Sequence, residues 1–385
     1  MGNRLTSVRT IAFVAVVICI IGLVGCREQV AGAADAGPQI TPVQLPPPAK
    51  TFTMIAVGDI MLDRNVGRAI RNNGYRSILA RVRELTRSAD ISFANLECPL
   101  SAEGPHDPHN CCFRARPETV KVIIDGGFDI VSLANNHTLN AGQVGVRNTI
   151  DTLEEHGIAY CGCRRPEEKE HAWDPTYFEV NGLTLGFMAC TDFAFEHGSY
   201  AKVKDYDALA AKVAAAKAET DLLFVSVHWG EEYHSKPSDR QKKLAHYLVD
   251  NGADIILGHH PHTLQGVEIY NGCPILYSMG NFVFDQREGE RMESAIFHLT
   301  YTAGRGWNIF AKPIWIPRSR MGPIYPQEAR SNKIATRLTK LCVGLGTEAI
   351  QRHNKVWINV PLTHDEQEVA PDSATTTKEP TDEAS

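Results

Sequence analysis

From Phe52 to Ser278 the chain returns repeatedly to one unit, an apolar run of strand length followed by a polar or amphipathic stretch. The runs are FTMIAV (52–57), DISFA (90–94), DIVSLA (129–134), LTLGFMA (183–189), LLFVSV (222–227), DIIL (254–257) and PILYS (274–278). Helical patterns fall between them at Ser77 to Ser88, Glu118 to Asp125, Gly145 to His156, Tyr206 to Thr220 and Ser238 to Asn251. Short apolar runs interleaved with helices predict an α/β fold with buried strands. The alanine-rich stretch Leu209 to Ala218 reads as a covering helix. Beyond Phe282 the character changes. There SAIFHLTYTAGRGWNIFAKPIWI reads as two strands joined at Gly304-Arg305-Gly306, which predicts a second, more antiparallel sheet.

The ends of the chain differ from its middle. Arg4 and Arg9 lead into the apolar run Ile11 to Val24, too short for a membrane span but suited to the core of a signal peptide. It closes as Leu23-Val24-Gly25-Cys26, which resembles the bacterial lipobox, so residues 1–25 are expected to be a lipoprotein signal and Cys26 the lipid anchor. An uncleaved signal anchor is the competing reading. Residues 26–50, rich in Ala, Gly and Pro, read as a flexible tether. The folded part is expected at 51–362, followed by a disordered acidic tail at 363–385. These expectations make the protein an exported, membrane-anchored lipoprotein facing the periplasm or cell exterior. With a net charge of -6 the chain offers no basic footprint, and nucleic acid is set aside as a partner. Without Cys19 and Cys26, eight of the ten cysteines remain, an even count that suits disulfides or buried thiols in an oxidising compartment. Cys161-Gly162-Cys163 also admits a thiol redox reading.

Polar residues gather just past the apolar runs. Asp59 follows the first run, Glu97 the second, Asn136 and His137 the third, and His228 follows LLFVSV. His260 and His262 follow DIIL in the stretch LGHHPH. Individually each has an ordinary explanation: a helix cap for Asp59, a turn for Asn136, a core histidine for His228 between Val227 and Trp229. Together they are metal-competent groups at equivalent strand ends, where open α/β sheets bind their ligands. A carboxylate can bridge two cations while imidazoles and an amide oxygen complete their shells, and the all-N/O donor set suits Mn, Fe or Zn.

The ordered series GDIML, NLECPLS, FDIVSLANNHTLNAG, VSVHWGEEY and GHHPHTLQGVEIYNGCPILYSMGNFVFD resembles the CapA family, poly-gamma-glutamate capsule synthesis proteins of the calcineurin-like metallophosphoesterase superfamily, from about Phe52 to Asp285. The resemblance implies a four-layer α/β/β/α sandwich with a metal centre at the strand ends. It assigns Asp59, Glu97, Asn136, His228, His260 and His262 as ligands, Glu97 in the bridging position, and His137 as the catalytic residue near the substrate. Pro261 would turn His260 and His262 toward one centre, leaving His259 outside the set. Two positions depart from the pattern. Met61 stands where the superfamily has the histidine of Asp-x-His, so one or two divalent ions are implied. Asn140 stands where related sequences carry Asp, which reads as a capping or turn change.

The resemblance thus implies a metal-dependent hydrolase or transferase working on an anionic capsule polymer such as poly-gamma-glutamate, with membrane proteins of capsule synthesis or export as partners. Arg114 and Arg116, in CCFRARP, are candidates to grip a substrate carboxylate or phosphate, or are solvated surface residues. The rival is a non-catalytic polymer-binding subunit on the same fold.

Overall fold

The computed structural model describes residues 49–193, 200–203, 205–286 and 288–361. The expected signal segment, Cys26 and the acidic tail lie outside the described residues. Fifteen strands are described: β1 Thr51–Ile60, β2 Ile91–Leu96, β3 Ile130–Ser132, β4 Ala159–Cys161, β5 Thr176–Val180, β6 Leu183–Thr191, β7 Leu222–His228, β8 Ile255–His259, β9 Val267–Tyr270, β10 Cys273–Leu276, β11 Asn281–Val283, β12 Glu293–Thr302, β13 Gly306–Trp315, β14 Ala349–Arg352 and β15 Lys355–Ile358. The helices are α1 Arg64–Asn73, α2 Arg83–Thr86, α3 Val120–Gly126, α4 Gly142–Glu155, α5 Tyr206–Lys217, α6 Asp239–Asp250 and α7 Glu328–Val343.

The strands form two sheets. One runs β14-β15-β13-β12-β1-β2-β3-β4, with β11 added beside the end of β1; the other runs β5-β6-β7-β8-β10-β9. Strands β1 to β4 are mutually parallel, as are β6, β7, β8 and β10. Three apolar clusters mark the layer boundaries. Between the sheets, Phe52 and Phe93 of the first meet Phe187 and Phe224 of the second, with Phe93 and Phe187 rings 6.2 Å apart. The outer face of the first sheet packs on α1, α3 and α4 through Val66, Ile123 and Ile150; that of the second packs on α5 and α6 through Val213 and Leu248. Helices, sheet, sheet and helices therefore stack as an α/β/β/α sandwich. Helix α7 joins the inter-sheet core through Ile334, Ala335 and Leu338.

Two expectations change and a third is narrowed to one of its alternatives. The strands after Phe282 do not start a sheet of their own: β12 pairs antiparallel with β1 from Thr51 to Ala56 and extends the first sheet. Strand alternation encodes which face is buried, not which neighbour is chosen. The stretch Ser77 to Ser88 keeps helix only at Arg83–Thr86. The same stretch packs tightly on a later loop, where a Cβ on Gly322 would sit 1.8 Å from the Ile78 carbonyl oxygen. Finally, all eight described cysteines are free thiols. Neighbours in sequence serve different layers: Cys161 is in the inter-sheet core and Cys163 in the helix-side core. Burial pushes both thiols up to about 12, which makes them poor nucleophiles and removes the basis for a thiol redox site.

Candidate metal centre

The carboxyl ends of the parallel strands of both sheets bring the predicted residues to one place. Asp59 and Glu97 are wholly buried, and His228, His260 and His262 nearly so. Two triads place ligand atoms within 4.8 Å of one another, Asp59–Glu97–His262 and Glu97–His228–His260, and they share Glu97. Asn136 joins the second triad, its Oδ1 2.9 Å from His228 Nε2. Met61 is fully buried, its Sδ accepting from the Asp63 N–H at 3.1 Å, so that strand position offers no imidazole.

Close backbone approach makes this convergence work. β1 runs beside β11 with Asp59 opposite Asn281, and the Asp59 N–H donates to the Gly280 carbonyl at 3.0 Å. At Gly58 a Cβ would stand 1.8 Å from that same carbonyl oxygen, and at Gly258 one would stand 2.1 Å from the Tyr277 oxygen. His260 and His262 hold left-handed backbone, with φ of 95° and 56°. Such conformations cost of order 1–3 kcal/mol in residues with a Cβ and cluster at functional sites.

Several organising residues are silent in the sequence. The Asn95 amide donates to Asp59 Oδ1 at 2.9 Å and to Glu97 Oε2 at 3.2 Å, and Asn135 donates to Asn95 Oδ1 at 3.2 Å. A polar residue inside the apolar run ISFANL is the signal that could have found Asn95. Asn281 donates to the carbonyls of His262 and Arg291, which turns its Oδ1 toward His262 Nδ1 at 3.0 Å. Glu232 forms a third group with His260 and His262, but it is exposed and reads from sequence as one more acid in a loop. His259 lies inside the cluster, its Nδ1 3.1 Å from Asp59 Oδ1.

Asn140 is more than a turn residue. Its Oδ1 accepts from the Phe113 N–H at 2.9 Å, which fixes the amide orientation, and it lies 2.8 Å from His137 Nδ1. The His137 proton therefore sits on Nδ1 and the lone pair on Nε2, which is 3.8 Å from Glu97 Oε1. The ring of Phe113 packs 4.3 Å from that of His137. Arg114 and Arg116 make no contact with the cluster among the described residues. Arg114 donates to the Gly104 carbonyl at 2.5 Å, while Arg116, exposed, pairs with Glu118 at 3.7 Å.

The electrostatics suit a cation. Burial raises the Asp59 carboxyl, but His259 and His262 against it outweigh that and hold it well below the usual carboxylate range. Burial and the Asp59 charge push Glu97 well above that range. Burial also pushes His228 well down and brings His137 and His260 to about 4, so these imidazoles are neutral at neutral pH, the form that binds metals. Asp59 Oδ2 and Glu97 Oε1 are buried without a hydrogen-bond partner. Leaving such atoms unsatisfied costs about 1–3 kcal/mol each, more when charged, and divalent cations would satisfy both. The residues fit the group.

A two-sheet α/β sandwich with carboxylates, an amide and imidazoles converging at its strand ends has the architecture of the metallophosphoesterase-like superfamily. Residues 53–286 match the family described as bacterial capsule synthesis protein PGA_cap, and the chain belongs to that family, the CapA family. It is 33% identical over 297 residues to the PGA biosynthesis protein CapA of Bacillus subtilis (strain 168), covering 74% of this chain and 77% of that protein. It is 36% identical over 265 residues to the capsule biosynthesis protein CapA of Bacillus anthracis, covering 64% of each, so it spans just under two thirds of that relative. A probable polyglutamine synthesis accessory protein of Mycobacterium tuberculosis (strain CDC 1551 / Oshkosh) is 28% identical over 260 residues, covering 61% of this chain and 68% of that protein.

Proposed function

We propose that this chain is a metal-dependent hydrolase or transferase acting on an anionic capsule polymer of the poly-gamma-glutamate kind. The observation that carries the reading is the buried Asp59–Glu97–His228–His260–His262 cluster with its two unsatisfied carboxylate oxygens. The proposed ligands are these five and Asn136, with Glu97 between the two triads. Divalent ions bound there would supply Lewis acidity toward a carbonyl or phosphoryl oxygen. The chain's own contribution is positioning and proton handling. Asn95 fixes both carboxylates, Asn281 aims His262, and Asn140 fixes His137. Neutral His137, lone pair on Nε2, accepts a proton from the attacking water, or from the acceptor hydroxyl or amine in a transfer, and returns it to the departing amine or alkoxide as its bond breaks.

The supporting test is metal analysis of protein purified without chelator, followed by turnover assays on γ-glutamyl oligomers and phosphodiesters. About two ions per chain with metal-dependent turnover of either substrate is the expected result. One observation favours a second reading. Met61 removes an imidazole from one site, and a chain holding one ion or none after reconstitution with Mn, Fe and Zn, with no turnover, would be a polymer-binding subunit of a synthesis or export complex. The LVGC stretch further supports an exported lipoprotein held to the membrane through Cys26. Cys26→Ser protein should then leave the membrane fraction on cell fractionation; continued membrane retention would count against the anchor.

A further inference from the structure

Beside the metal centre lies an open cleft of about 410 Å³ lined by Arg64, Asn65, Asp285, Glu288 and Arg291. Two chains of ring contacts lead from it to the cluster. The Arg64 guanidinium lies 4.8 Å from the Phe113 ring, which packs on His137; that of Arg291 lies 4.4 Å over Tyr233, whose ring is 6.3 Å from that of His262. Arg64 is also held against Phe284, 4.8 Å from His262 on its other side.

Neither arginine is there by default. Arg64 opens α1 in left-handed backbone, φ 51°, a costly way for a non-glycine residue to start a helix, and Tyr233 has φ 68°. Arg64 Nη2 bonds Asp285, but its Nε is buried without a hydrogen-bond partner. Asp285 is shared, since it also accepts from the Asn65 backbone and side-chain N–H groups at 3.3 and 3.0 Å. Arg291 forms an ion pair with Glu288, whose side chain is 72% exposed. The loop carrying Arg291 is fixed to the centre: Asn281, which aims His262, donates to the Arg291 carbonyl at 3.0 Å. Arg337 on α7 grips Glu290 and Glu293 on either side of that residue.

We propose that Arg64 and Arg291 form a subsite for the charged side groups of an anionic chain, holding it across the cleft so that its backbone passes the metal centre. Both arginine side chains keep some exposure at the cleft, 21% for Arg64 and 28% for Arg291, and planar guanidiniums suit carboxylate or phosphate groups, the chemistry shared by a glutamyl polymer and a phosphodiester polymer. The inference rests on the reading that the site works on an anionic polymer, and it names the residues that select that class.

The test measures equilibrium binding of two labelled probes, a short γ-linked glutamate oligomer and a glycerol-phosphate oligomer of equal charge, to the full chain in detergent. Binding is read in chelator, so turnover does not enter, and metal uptake and melting temperature are measured in parallel. Arg64→Gln with Arg291→Gln together is expected to weaken the bound probe about a hundredfold, each alone about tenfold, with metal uptake unchanged. Arg64→Lys should fall between, because a point charge replaces the fork. Arg147→Gln, which removes a surface ion pair with Glu167, should bind as wild type does. Should the Arg64 variants fold poorly, Arg291→Gln, whose side chain is partly exposed, decides alone. Wild-type affinity in well-folded variants, or failure of both probes to bind the wild-type chain, overturns the subsite while leaving metal-dependent turnover of another substrate open. Loss of binding in the variants upholds the subsite even if no bond is cut.

Discussion

Exchanging His260 for glycine is expected to cost more than about a hundredfold in metal affinity, beyond the 10–100-fold typical of residues that only support a ligand, and to abolish metal-dependent turnover. His260 is shared: it stands in the triad with Glu97 and His228 and in the group with Glu232 and His262. Its removal therefore opens two coordination sets. The same change should leave the metal-free fold no less stable than wild type. His260 sits at φ 95°, where glycine is unstrained, and its neighbours include His228, with Nδ1 of one ring 3.2 Å from Nε2 of the other. Relief of the strain is worth about 1–3 kcal/mol, set against loss of a ring contact with Phe193 at 4.4 Å. Metal titration by calorimetry and melting of the chelated protein separate the two effects. Retained affinity would remove His260 from the ligand set, and a sharply lower melting point of the metal-free form would show that it is a packing residue.

Gly58→Ala should be among the most damaging single methyl groups in the described residues. Its Cβ would lie 1.8 Å from the Gly280 oxygen and 2.7 Å from the Gly280 carbon, both backbone atoms that no rotamer change can move aside. To admit it, β1 must part from β11, which breaks the bond from the Asp59 N–H and shifts Asp59 away from Asn281. Overpacking typically costs about 1–3 kcal/mol and occasionally more, and a clash with fixed backbone belongs at the upper end, a large share of the roughly 5–15 kcal/mol that holds a domain together. Little soluble protein, or a melting temperature lowered by several degrees with metal retention lost, is expected by calorimetry. Wild-type melting would mean that the two strands lie farther apart than described.

The sandwich and its centre were legible to different depths. Continuous apolar runs mark β1, β2, β6, β7 and β8 because strands buried on both faces must be apolar throughout. Their carboxyl ends then point to Asp59, Glu97, His228 and His260 by position alone. The pairing of β12 with β1 was not legible, since it joins residues some 250 positions apart through backbone groups that every residue carries. Organising amides were hidden for a related reason. Asn95, Asn140 and Asn281 act through the orientation of one side chain, and an asparagine in a sequence looks equally like a turn former. Arg64 and Arg291, the proposed anion subsite, carry no distinguishing mark in the sequence, because charged residues near the surface are the commonest of all surface features.

The free thiols give the molecule an optical handle. Of the eight described, Cys111 is the one exposed thiol, with Cys112 and Cys273 half-buried, and its sulfur lies 4.0 Å from Arg64 Nη1 at the edge of the cleft. A thiol-reactive dye will prefer it over the buried cysteines, whose burial disfavours the reactive thiolate. A fluorophore carried there would stand where the anionic chain is proposed to pass, so its emission would follow arrival and departure of the polymer in real time without any engineered residue.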